Sequence, residues 1–251
     1  MKIEITSRTN LRLQALLKNR EKLIFFEGEK LVGDILSRAL TVSTLIFSPE
    51  MERRLPEISA TVVEHWRVSR PVLEKISELK TPPEIIAVLE MPVWEIDLKG
   101  QKIVFAFDSV QDPANLGVVF RCAAAFGVSA LVMAGASVRT NHPKVVRAAQ
   151  TAILDVPFQV FPSLEELLAR AQAQKVHVYL TGSHATGKPL TVAGMKFPCL
   201  VFFGNEGQGL AQGLLARFPL IRLEQAESID SLNVAVSACI LMHEVKRVHG
   251  W

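Results

Sequence analysis

The second half of the chain repeats one pattern. From residue 102 onward, short runs are apolar at nearly every position: Lys102–Phe107, Ser129–Ala134, Pro157–Val160, Val176–Leu180, Cys199–Phe203 and Phe218–Leu223. Helical spacing fills the gaps between them. A strand that is apolar on both of its alternating faces is covered on both sides, and strands joined through helices run parallel. The pattern predicts an α/β fold with a mostly parallel sheet. Such sheets bind ligands outside the carboxyl ends of their strands, so the residues just after each strand are where chemistry is expected.

The first 90 residues alternate differently and form a smaller α/β unit. "TNLRLQALLKNREK" has helical spacing, with Leu13, Leu16, Leu17 and Arg20 on one face. "LIFFEG" reads as a strand, and "EKLVGDILSRAL" as a helix that turns Leu31, Ile35 and Leu36 inward. "STLIFSP" and "ATVVEHW" read as strands. "SRPVLEKISEL" reads as a helix with Ser69 as N-cap and Pro71 in the first turn, and "EIIAVLEM" as a closing strand. Pro92 and Gly100 break the pattern. The expected division is 1–92, a linker at 93–101, and 102–251.

Charge and cysteine content narrow the function classes. The net charge of +3 is mild, but residues 1–22 hold Lys2, Arg8, Arg12, Lys18, Arg20 and Lys22 against only Glu4 and Glu21. A basic leading segment suits an anionic partner. The three cysteines, Cys122, Cys199 and Cys239, include no CxxC pair and sit among apolar or small residues. They are expected to be reduced core cysteines in a cytosolic protein. The six histidines do not stand at zinc-ligand spacing from them, so no metal site is expected. No apolar run approaches the roughly 20 residues of a membrane span.

Three stretches follow strands in the second half. "FDSVQDPANLGVVFRCAAAFG" places Asn115 at a helix start and Arg121 six residues further on. On residues alone, Asn115 is a helix cap or a site residue, and Arg121 a surface arginine or a long arm into the crevice. "GNEGQGL" follows the strand Cys199–Phe203. It lacks a P-loop lysine and the dinucleotide glycine spacing, and it puts Glu206 where a phosphate would sit. It is either a tight strand–helix turn or a loop for a ligand other than phosphate. "SLNVAVSACILMHE" opens a long helix at Ser231, Leu232 and Asn233, with Val234, Ala235, Ala238, Leu241 and Met242 on its apolar face.

In this order, "DPANLGVVFRCAAAFG", "FFGNEGQGL" and "SLNVAVSACILMHE" resemble the SpoU/TrmH family, part of the SPOUT class of RNA methyltransferases. The resemblance covers residues 102–249. The opening "SRTNLRLQALLKNREKLIFFEGEKLV" is similar to the ribosomal-protein-like RNA-binding domain often fused ahead of it. The resemblance implies a trefoil knot that includes the glycine loop, and S-adenosylmethionine as cofactor. It implies cofactor contacts at Thr181, Gly182, Gly204, Asn205, Gly207, Leu223 and Leu232. It also implies a homodimer packed through the knotted region, with the helix from Leu232 to His249 taking part. One stretch departs from the family: where Ile-Pro-Met-x-Gly is common, this chain reads Leu223-Glu224-Gln225-Ala226-Glu227.

The implied reaction is methyl transfer to a ribose 2′-hydroxyl of structured RNA. Ribosomal RNA is the first expectation and tRNA the alternative. By resemblance the catalytic set is Asn115, Arg121, Glu206, Ser231 and Asn233. A guanidinium is a poor proton acceptor, so Arg121 is better suited to holding a phosphate and stabilising a developing alkoxide. Arg8, Arg12, Lys18 and Arg20 are the expected RNA-binding residues. Two other readings compete: a non-catalytic RNA-binding or assembly protein of the same fold, and an unrelated nucleotide-binding α/β protein. The full set of five polar residues argues against the first, and the absent P-loop lysine against the second.

Overall fold

A computed structural model describes residues 2–55, 60–182, 191–204, 212–223, 225–226, 228 and 231–250. The chain forms two units: Met1–Pro92 with Thr140–Thr151, and Val93–Arg139 with Ala152–Trp251.

The first unit is built on a mixed sheet. Its strands are β1 (Lys2–Ile5), β2 (Leu23–Glu27), β3 (Thr41–Phe47), β4 (Thr61–Val68) and β5 (Ile85–Glu90), in the order β1-β4-β3-β5-β2. β1, β4 and β3 are parallel, whereas β5 runs antiparallel to β3 and β2. Ile85 to Leu89 are all buried, as an inner strand with both faces covered requires. Helices α1 (Leu11–Lys18), α2 (Glu29–Leu36) and α3 (Arg70–Ile76) complete it. Asn10 caps α1, its Oδ1 accepting from the amides of Arg12 at 2.9 Å and Leu13 at 3.4 Å. In α2, Val32 is buried with Ile35 and Leu36, and Leu31 is only half-buried. Ser69 occupies the N-cap position of α3 but makes no capping bond; its hydroxyl donates to the Thr6 carbonyl.

The stretch Thr140–Thr151 belongs to this unit although it lies between two strands of the other. It carries α5 (Pro143–Ala149), which packs on β2. The Asn141 side-chain amide donates to the carbonyls of Arg20, Glu21 and Leu23, an anchor of three bonds.

The second unit has β6 (Ile103–Asp108), β7 (Ala130–Ala134), β8 (Phe158–Phe161), β9 (His177–Thr181), β10 (Cys199–Phe203) and β11 (Leu220–Ile221). Their order is β11-β9-β10-β6-β7-β8, with every pairing parallel. Four of the six apolar runs form the inner strands, as the sequence predicts, whereas β8 and β11 lie at the edges and Val160 of β8 is 55% exposed. Its helices are α4 (Pro113–Phe126), α6 (Ala152–Asp155), α7 (Leu164–Ala173), α8 (Gln212–Leu215) and α9 (Val234–His249). On one sheet face Val104, Ala106, Leu200 and Phe202 pack with Leu167 and Leu168 of α7. On the other, Phe107 and Phe203 stack with ring centroids 5.1 Å apart, and α4 packs on β7. Ile96 and Leu98, in the expected linker, are buried in the α7-side core.

Candidate active site

Strand order fixes where a site can form. The chain moves from β6 outward through β7 to β8, and later strands build on the other side of β6. The switch lies between β6 and β10, where connections leave in opposite directions and open a crevice. Register puts Phe203 beside Phe107, and Ile221 beside Thr181. The Thr181 hydroxyl donates to the Phe202 carbonyl at 3.1 Å. Gly182, Gly204 and Leu223 thus emerge from three neighbouring strands at one level, beside the start of the first motif. Gly182 has little room to spare: a Cβ there would lie 3.2 Å from Leu220 Cδ1.

The chain leaves β6 through a tight turn. Ser109 has φ of 51°, a left-handed conformation uncommon outside glycine. Its hydroxyl donates to Asp108 Oδ1 at 2.8 Å. Gly135, after β7, has φ of 64°, and a Cβ there would fall 2.7 Å from Ser109 Oγ and 2.8 Å from Asp108 Oδ1. The left-handed backbone and these two close side-chain oxygens favour glycine at this position. Sequence reasoning missed Asp108, Ser109 and Gly135, since nothing in "FDSV" announces a left-handed serine.

α4 then begins. Asp112, not Asn115, is its N-cap; the Asp112 carboxylate accepts from the Ala114 amide at 2.8 Å. Asn115 lies inside the first turn, half-buried, and its Oδ1 accepts from Asn233 Nδ2 at 3.0 Å. Asn233 is the N-cap of α9, its Oδ1 accepting from the amides of Ala235 at 2.9 Å and Val236 at 3.3 Å. The first and third motifs meet at this bond. Arg121 is exposed on α4 and has no hydrogen-bond or ion-pair partner among the described residues. Ser231 and Leu232 lie just before α9, Leu232 at 36% exposure. Asn205, Glu206 and Gly207, with the glycine loop that the resemblance places in the knot, lie outside the described residues.

Two further contacts join the same helices. Cys122 and Cys239 form a disulfide, with Cα atoms 5.5 Å apart. Phe126 and His243 meet edge to face at 5.5 Å. The three contacts come in the same order along both helices, so α4 and α9 run side by side in the same direction. The disulfide corrects the expectation of three reduced cysteines. The two residues sit on helices that only the tertiary fold brings together. Cys199 keeps its expected place: it is a free thiol, and burial pushes its pKa up to about 12.

The crevice suits S-adenosylmethionine in the chemistry of its walls. Gly182 and Gly204, without side chains, leave backbone polar groups approachable at the strand ends, where Leu223 is half-buried. No lysine or arginine is required there, because the cofactor brings no triphosphate. Among the described residues no cluster of His, Cys, Asp or Glu could hold a metal ion, and no described helix is long and apolar enough to cross a membrane.

Residues 102–243 match the SpoU rRNA methylase family model. The chain belongs to that family. Residues 12–87 match the MRM3-like substrate binding domain. Among relatives, the Bacillus subtilis 23S rRNA (guanosine(2553)-2′-O)-methyltransferase RlmP is 30% identical over 230 residues, 91% of this chain and 90% of its own. The Streptomyces viridochromogenes 23S rRNA (uridine(2479)-2′-O)-methyltransferase is 30% identical over 266 residues, covering 97% and 91%. The crystal structure of an AdoMet-bound rRNA methyltransferase from Sinorhizobium meliloti superposes with a TM-score of 0.75 at 25% identity, over 98% of each chain.

The basic residues expected to bind RNA divide within this SpoU-family chain's first unit. Arg8 and Lys18 are exposed. Arg12 pairs with Glu64 at 2.7 Å and remains half exposed. Arg20 is tied inward: it pairs with Glu78 at 2.9 Å, donates to the Ile76 carbonyl and lies over the Phe25 ring at 4.4 Å. Packing, rather than phosphate, accounts for its position.

Proposed function

We infer from family membership that the protein is an S-adenosylmethionine-dependent RNA 2′-O-ribose methyltransferase acting on ribosomal RNA. The observation that carries the reading is the meeting of Asn115 and Asn233 at the mouth of the β6/β10 crevice. Relatives aligned along most of their length modify 23S rRNA, which favours rRNA over tRNA.

When bound, the cofactor supplies an electrophilic methyl group. The chain's residues do the rest. Gly182, Gly204, Leu223 and Leu232 hold the adenosine; Asn205 and Gly207 are assigned to the same loop by sequence alone. Asn233 and Ser231 place the target ribose, and Asn115 fixes Asn233. Arg121 holds the neighbouring phosphate through its planar fork and stabilises the alkoxide as the proton leaves. Glu206 orients the loop. Arg8, Arg12 and Lys18 supply salt-sensitive attraction to RNA, and Arg20 shapes the surface that presents them.

A second copy of the chain is the partner best suited to the outward face of α4 and α9. Val118, Val236 and Ile240 are 40%, 47% and 45% exposed there. A ribosomal RNA substrate would put the protein with ribosomes in the cytoplasm. The test is incubation with labelled S-adenosylmethionine and unmodified rRNA or tRNA transcripts. Alkali-resistant label at one rRNA nucleotide is expected; label confined to tRNA or to base atoms would overturn the reading.

A further inference from the structure

The disulfide has no role in the reaction derived above, yet it joins the helix of Asn115 and Arg121 to the helix that Asn233 caps. Cys122 follows Arg121 directly, and Cys239 lies six residues beyond the Asn233 cap. The bond joins the two helices about two and a half turns into α4 and one and a half turns into α9. Both cysteines are only half-buried. Their neighbours Ala123 on α4 and Ala235 and Ala238 on α9 are small and buried. Without the bond, the Asn115–Asn233 hydrogen bond and the Phe126–His243 ring contact remain as polar and aromatic ties at either end. The helices then stay packed but lose the covalent tie nearest Arg121.

We propose that Cys122 and Cys239 form a reversible dithiol–disulfide site whose oxidation locks α4 against α9 and raises the rate of methyl transfer. The effect on rate rests on the methyltransferase reading; the chemistry of the pair does not. The oxidant is a low-molecular-weight disulfide. One cysteine thiolate attacks a sulfur of the small disulfide, whose S–S bond breaks, and one thiolate leaves with the electron pair. The second cysteine, having given its proton to solvent, attacks the resulting mixed disulfide and expels the other thiolate. The two cysteines are oxidised by two electrons, and the small disulfide becomes two thiols. Excess small thiol reverses each step. Cys199, buried and with its thiol pKa pushed up to about 12, takes no part and serves as an internal reference.

The experiment equilibrates the whole protein with oxidised and reduced glutathione at graded ratios. It is then quenched in acid, unfolded and alkylated. One alkylated cysteine per chain is expected at the oxidising end and three at the reducing end, with peptide mapping joining Cys122 to Cys239 in the same chain. Peptides from α4 and α9 should exchange amide hydrogens about threefold more slowly when oxidised. Single-turnover transfer to rRNA should fall about three- to tenfold on reduction, since a loosened Arg121 misplaces the phosphate. The Cys122→Ser/Cys239→Ser protein should keep the slow rate in both buffers. Three alkylated cysteines at every ratio, a bond between two chains, or equal exchange and equal rates in both states would each overturn the proposal. Absence of transfer in both states, with pairing and slowed exchange intact, would sink the methyltransferase reading and the rate coupling, while leaving the lock established.

Discussion

The Asn115–Asn233 bond allows the capping and bridging duties of one side chain to be separated. Asn233 Oδ1 caps two amides of α9, while its Nδ2 reaches Asn115. Replacing a good N-cap by Ala costs about 1 kcal/mol, and losing a neutral hydrogen bond costs about 0.5–1 kcal/mol. Asn233→Ala should therefore destabilise the second unit by about 2 kcal/mol. Serine caps nearly as well as asparagine but is too short to bridge, so Asn233→Ser should cost only the bridge, about 0.5–1 kcal/mol. Asn115→Ala should cost a similar amount. The Asn233→Ser/Asn115→Ala protein should cost less than the two singles together, with a coupling of about 0.5–1 kcal/mol. Hydrogen exchange of α9 peptides in rising urea, with the disulfide kept oxidised, reads these differences. If the single costs added without coupling, the bridge would carry no energy and the meeting of the two motifs would be fortuitous.

Arg121→Ala should abolish methyl transfer in single-turnover assays while leaving cofactor affinity unchanged, and Arg121→Lys should rescue poorly because an ammonium cannot make the two-toothed contact. Gly204→Val should weaken S-adenosylmethionine binding in calorimetric titration; an unchanged affinity would move the cofactor from the β10 end. Arg8→Glu with Lys18→Glu should weaken RNA binding and reduce the salt slope by about 0.7–0.9 for each phosphate no longer neutralised, whereas Arg20→Gln should act mainly on stability. Burial raises the Glu27 carboxyl above its usual range, against the opposing Ser77 hydroxyl bond and Arg20. The folded state then keeps this proton to higher pH than the unfolded chain, so the contribution of Glu27 is greatest at low pH and is lost as pH rises through the folded value. Urea unfolding across pH should show Glu27→Gln gaining stability relative to wild type in that window; no relative gain would contradict the burial argument.

Much of the second unit is legible from burial alone. Cys199–Phe203 is an inner strand, and its sequence leaves no amphipathic alternative. The inward face of α9 is equally plain, because Val234, Ala235, Ala238, Leu241 and Met242 recur at helical spacing. β1 escapes notice: "KIEI" is four residues at a sheet edge with charges on its open face, too short to set a period. The departure of Thr140–Thr151 into the first unit is invisible because α5 looks like any crossover helix. The site divides the same way. Its candidate loops are proposed from their place after strands, but the Asn115 bridge and the Cys122–Cys239 bond join residues 118 and 117 positions apart. No local spacing encodes a contact of that kind.

The three ties between α4 and α9 also act as a ruler. Asn115, Cys122 and Phe126 must stay in phase with Asn233, Cys239 and His243. One residue inserted in α4 after Asn115 would rotate everything beyond it by about 100°. It would break the second and third ties together and swing Arg121 to another side of the helix. An insertion in the turn before Pro113, or in a surface loop between Phe126 and Asn233, leaves the phase untouched. Length changes are therefore tolerable in such loops and forbidden between the tied positions of these two helices. Grafting either helix into a related protein would succeed only if both were moved together.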